Sequence, residues 1–180
     1  METPTTLKQV LLEETEKAYS VTENLFRKVN DSELNWKPAT GKNWMTMGQL
    51  LMHCANYGYG KGVQGFIRGD WGPAPEEEPG DQDVNHHLPL AEDLPSVDHI
   101  EEAIKILKDD KALATSCINE VEEADWLSKK IIAPWGVLEV TLFQQILNML
   151  AHLVQHKGQL FYYLKLKGKD VNTADLWGEV

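Results

Sequence analysis

Four segments of this chain repeat apolar residues at helical spacing, and no run of alternating residues competes with them. The first spans about 7–29, where Leu7, Val10, Leu11, Ala18, Val21, Leu25 and Val29 share one face. Thr6 with Gln9 supplies a capping box at its start, and Asn30-Asp31-Ser32 breaks it. The second spans about 47–68. Thr46 with Gln49 is its capping box, and Met45 and Leu50 occupy the positions of a hydrophobic staple. Gly58, Gly60, Gly62 and Gly65 lower its helix propensity, so either close packing compensates or the helix kinks or ends near Gly60. The third spans about 97–121 after Ser96 as a cap, with Ile100, Ala103, Ile104, Leu107, Ala114 and Ile118 as its buried stripe. The fourth spans about 142–167, from the Thr141/Gln144 box to Lys165, Lys167 and a terminating Gly168. Four such helices imply an all-α four-helix bundle.

The connections are read as irregular. Residues 69–95 form a Pro- and acid-rich loop with Glu76-Glu77-Glu78, Asp81, Asp83 and the pair His86-His87. Few of its residues can bury apolar surface, so it is expected to be mobile, with Trp71 anchoring its start near the mouth of the site. Residues 125–136 are a connection in which Pro134-Trp135-Gly136 reads as a turn.

The 180 residues suit a single domain, 1–180, with its core at about 7–168. The net charge of −11 repels phosphate backbones, and no basic stripe offsets it, so nucleic acid is excluded as a general partner. The absence of a long apolar window excludes a membrane span. The N-terminus reads as free of a secretory signal, and Cys54 and Cys117 read as core thiols rather than a disulfide, so the expected location is cytoplasmic.

The chemistry lies in three histidines. His152 and His156 are one helical turn apart, so both rings leave the same side of helix four, about 6 Å apart along its axis. Gln145, Met149, Gln159 and Tyr163 lie on the same stripe. His53 lies two turns into the second helix, at a level from which a bundle can bring it to the pair. Three neutral imidazoles with a fourth position left open form a catalytic type of site for zinc or a similar ion. A lone histidine on such a face is more often a hydrogen-bonded core residue, and a plain helical scaffold with incidental histidines is the bland alternative. The segment His-Leu-Val-Gln-His lacks the Glu of the zinc-protease motif, so no general base is identified. Asn56, Tyr57, Gln145, Gln159 and Tyr163 are candidates for a supporting polar shell. His99 has no partner at ligand spacing, and Cys54 is rotated away from His53 into the core.

Two stretches resemble the signatures of the DinB/YfiT-like superfamily. One is Leu34-Asn35-Trp36-Lys37-Pro38-Ala39 followed by Asn43-Trp44-Met45-Thr46-Met47-Gly48-Gln49-Leu50-Leu51-Met52-His53. The other is His152-Leu153-Val154-Gln155-His156-Lys157-Gly158-Gln159-Leu160, with Gly168 after it and Lys157 where the family usually has Arg. The resemblance implies an up-down-down-up bundle with a long crossover between helices two and three. It also implies a metal held by His53, His152 and His156, zinc or nickel as occupant, and a homodimer. It implies a small-molecule substrate and, by analogy with thiol-dependent transferases and isomerases, activation of a low-molecular-weight thiol or of water. The alternative is a non-catalytic metal-binding stress-response or scaffold protein.

Overall fold

Reciprocal capping sets where four of the helices begin. The computed structural model describes residues 5–72 and 90–178. α1 (Leu7–Phe26) opens where the Thr6 N–H donates to Gln9 Oε1 at 2.8 Å and the Gln9 N–H donates to Thr6 Oγ1 at 3.2 Å. The same exchange between Thr46 and Gln49 opens α2 (Met47–Met52). Each such cap is worth about 1 kcal/mol.

The second segment is not one helix. α2 ends at Met52, His53–Tyr57 form a π-helical turn, and α3 (Gly60–Arg68) starts afresh. Tyr59, with φ −151° and ψ −59°, interrupts the helical path. The cause is close approach. A Cβ on Gly58 would sit 2.5 Å from the Cys54 carbonyl oxygen, and one on Gly60 would sit 2.3 Å from the Asp110 carbonyl oxygen. The buried Asp110 carboxylate accepts the N–H groups of Gly60 at 2.8 Å and Lys61 at 3.2 Å, capping α3 from outside.

α4 (Ile100–Glu120) buries its whole expected stripe but begins three residues later than expected. Ser96 does not cap it. Asp31, 69 residues away, accepts the Ile100 N–H at 2.8 Å and holds His99 Nδ1 at 3.1 Å. The expected connection after α4 holds α5 (Asp125–Ser128) and an antiparallel hairpin of β1 (Lys130–Ile132) and β2 (Glu139–Thr141), registered Lys130↔Thr141. Three-residue strands are too short for an alternating pattern to register in sequence.

α6 (Leu142–Leu166) opens on the Thr141/Gln144 capping box. Its Leu142, Ile146, Leu150, Leu153, Phe161 and Leu164 are buried. Gly168, at φ +73°, ends it in the left-handed region that a glycine enters without strain. Beyond the expected core boundary, α7 (Thr173–Trp177) docks back on the body. Lys157 Nζ donates to the Leu176 carbonyl oxygen at 2.6 Å, and Lys28 pairs with Asp175 at 3.0 Å. α1 packs on α4 and α6, and α3 packs on the same two helices, so among the described residues the fold is mostly helical, with the hairpin as its one small sheet. No helix among the described residues is long and apolar enough to cross a membrane. His86-His87 and most of the expected mobile loop lie outside the described residues.

Candidate metal centre

The π turn and α6 bring His53, His152 and His156 together. Their candidate ligand atoms all lie within 4.8 Å of one another, and all three residues are half-buried. His152 Nε2 stands 3.4 Å from His53 Nε2 and 3.1 Å from His156 Nε2. Ring centroids are 4.4 Å apart for His53 and His156, 4.6 Å for His152 and His156, and 5.2 Å for His53 and His152.

The hydrogen bonds fix two tautomers. Gly58 O can only accept, so His152 Nδ1, at 3.0 Å, donates to it. For His156 the argument starts farther out. Tyr163 donates its hydroxyl hydrogen to the Met45 carbonyl oxygen at 3.0 Å, so Gln159 Nε2, at 3.3 Å, must be the donor to Tyr163. That turns Gln159 Oε1 toward His156 Nδ1 at 3.1 Å, and His156 Nδ1 donates. In its neutral, metal-binding form each ring therefore presents an Nε2 lone pair inward, lone pair against lone pair at 3.1 Å. A shared cation resolves that repulsion. Three nitrogens about 2.0–2.1 Å from a tetrahedral zinc would stand about 3.3 Å apart, and the two Nε2 separations, 3.1 and 3.4 Å, bracket that value. The donor set fits a divalent transition metal.

Burial and the neighbouring imidazoles of His156 and His152 hold His53 down to about 4. Burial, joined by His152, also lowers His156 against the opposing hydrogen bond from Gln159. Both stay neutral at physiological pH, the form in which imidazole binds metal.

Of the other expected shell residues, Gln159 and Tyr163 stand in the chain of contacts just described. Gln145 is buried on the same stripe of α6, seven residues before His152. Asn56 lines a separate cavity of about 260 Å³ with Asp110 and Leu113. The side chain of Tyr57 lies outside the described residues. Cys54 is fully buried, which pushes its thiol up to about 12 and keeps it protonated. Among the described residues no Cys, Asp or Glu joins the three histidines.

Sequence reasoning missed two contributors. One is Gly58, whose carbonyl holds His152; the other is Met45, whose carbonyl orients Tyr163. Both act through backbone atoms, which carry no side-chain signal. The run of glycines in an otherwise helical pattern was the available hint of a π turn.

The sequence profile of the DinB superfamily matches residues 14–160. This chain belongs to the DinB superfamily. The match spans both signature stretches through Leu160 and all three histidines, and metal binding is a property of the superfamily. No curated protein matches this DinB chain significantly.

Proposed function

We propose that this DinB protein is a metal-dependent enzyme. In this reading His53, His152 and His156 hold one divalent ion, zinc or nickel, and the site activates a low-molecular-weight thiol or water against a small electrophile. The observation that carries it is the inward pair of Nε2 lone pairs at 3.1 Å, each fixed from behind by a hydrogen bond at Nδ1. Such outward partners set ring orientation and raise ligand basicity. A divalent ion among three neutral ligands supplies Lewis acidity that lowers the pKa of a thiol or water.

The chain's own residues support an open site. Structural zinc usually has four protein ligands, and here three histidines form the cluster among the described residues. Gln159 and Tyr163 orient His156, because the Tyr163 hydroxyl hydrogen is engaged by the Met45 carbonyl oxygen and the hydroxyl oxygen receives the Gln159 amide. The same reading includes an up-down-down-up bundle, a homodimer, a cytoplasmic location and a small-molecule substrate.

The experiment is a panel of bacillithiol, mycothiol, glutathione and coenzyme A with a model electrophile. Metal-loaded protein and its His53→Ala variant are compared. At least one thiol should react faster with the wild type by tenfold or more. Equal rates with every thiol, and equal hydrolysis without thiol, would leave a non-catalytic metal-binding protein as the better account.

A further inference from the structure

A cleft of about 490 Å³ lies between α3 and the hairpin turn, lined by Lys61, Gln64, Asp70, Trp71, Trp135 and Met149 among others. That volume lies within the range of sites for small organic molecules. Its walls come from four places in the chain: the face of α3, the segment just after it, the turn between β1 and β2, and Met149 of α6. Trp71 and Trp135 are 45% and 58% exposed. They are nonetheless fixed around Phe66, with Phe66–Trp71 centroids 4.8 Å apart at 88° and Phe66–Trp135 centroids 5.7 Å apart at 72°. Trp71 and Trp135 are themselves 5.8 Å apart at 83°. Two large indoles held edge to face, yet half in water, present aromatic surface at little entropic cost to a ligand that covers them.

The glycines of α3 belong to this arrangement. A Cβ on Gly65 would lie 2.3 Å from Trp71 Cε3, and one on Gly62 would lie 2.4 Å from Met149 Cε. Each glycine costs the helix about 1 kcal/mol of propensity relative to alanine. What the bare face permits is a tryptophan and a methionine lying directly on the backbone. Asp70 stiffens the rim, accepting from Gln64 Nε2 at 2.8 Å and from the Gly72 N–H at 3.1 Å. Met149, a polarisable thioether suited to aromatic edges, lies three residues and one turn before His152 on α6.

We infer that this cleft binds the aromatic ring of a small molecule bearing a hydrogen-bond acceptor, with Trp71, Trp135 and Met149 holding the ring one helical turn from the histidine cluster. Assigning that molecule as the electrophilic substrate rests on the proposed function; the binding itself does not. Lys61 and Gln64 supply the polar end for the acceptor, and the perpendicular indoles select a flat ring over a puckered one.

The test is calorimetric titration of the full chain, metal-loaded and metal-free, with 2-naphthoate and with its saturated decahydro counterpart. Naphthoate should bind at one site per chain, and at least tenfold more tightly than the saturated acid. Trp135→Ala, an exposed turn position, should weaken naphthoate at least tenfold without changing metal content, and Trp71→Leu should do the same. Trp177→Ala, an indole of α7 outside the cleft, should leave binding unchanged. No saturable binding, equal affinity for the two acids, or wild-type affinity in Trp135→Ala would overturn the inference. Naphthoate binding without any thiol or hydrolytic turnover would sink the proposed reaction and leave the aromatic site standing. Turnover of an aromatic electrophile that is indifferent to Trp135→Ala, in a protein whose naphthoate binding that change weakens, would leave both the reaction and the aromatic site standing and overturn the assignment of the bound molecule as the substrate.

Discussion

His152 Nδ1 donates to the carbonyl oxygen of Gly58 at 3.0 Å, and this contact couples the break in the second helical segment to the three-histidine cluster. In an unbroken α-helix the Gly58 carbonyl would be engaged by the N–H four residues on. The π turn and the restart of α3 at Gly60 leave it available to a side chain of α6.

Gly58→Ala tests that coupling. The added Cβ would meet the Cys54 carbonyl oxygen at 2.5 Å and Leu153 Cδ1 at 3.1 Å, so the turn must shift. The stability loss should be on the order of 1–3 kcal/mol. Metal affinity, measured by chelator competition, should fall about 10–100-fold as the carbonyl leaves His152. Wild-type affinity in a shifted, less stable variant would separate the π turn from the site.

The relay behind His156 makes an ordered prediction. Gln159→Leu removes the acceptor of His156 Nδ1 and should weaken metal binding about tenfold. Tyr163→Phe keeps the ring packed 5.4 Å from Trp36 and 6.1 Å from Trp44, and removes only the hydroxyl that orients Gln159. Its stability cost should be about 1 kcal/mol, with a smaller effect on metal than Gln159→Leu. Competition titrations of both variants decide it, and the opposite order would contradict the relay.

Acid should destabilise the metal-free protein through His53. Its pKa in the fold is about 4, below the ordinary 6.5, because burial and the neighbouring imidazoles disfavour the charged ring. The unfolded chain therefore takes up the proton first. The contribution to stability is complete above 6.5 and is lost as the pH falls through about 4. The melting temperature should drop across that window, and His53→Gln should flatten the drop. An unchanged slope in His53→Gln would place the acid sensitivity elsewhere.

The helix starts at Thr6, Thr46 and Thr141 were legible because a capping box is a local device, written within four residues. The start of α4 was not, because its cap is Asp31, far off in sequence. The break in the second helical segment, expected as a kink or early end near Gly60, was legible only in part, for a related reason. The glycines signalled a weakness, but its form depends on Asp110 of α4 reaching the Gly60 and Lys61 amides. The histidine stripe of α6 was legible from spacing, as were Gln159 and Tyr163 beside it. The carbonyls of Gly58 and Met45 were not, since every residue has one and only the fold decides which are engaged.

The central claim is tested most directly by metal content. Protein purified without a nickel column, then loaded with zinc or nickel and dialysed, should retain one ion per chain by elemental analysis. His53→Ala, His152→Ala and His156→Ala should each lose most of it while keeping the helical circular dichroism of the wild type. Full metal retention in all three variants would contradict the account.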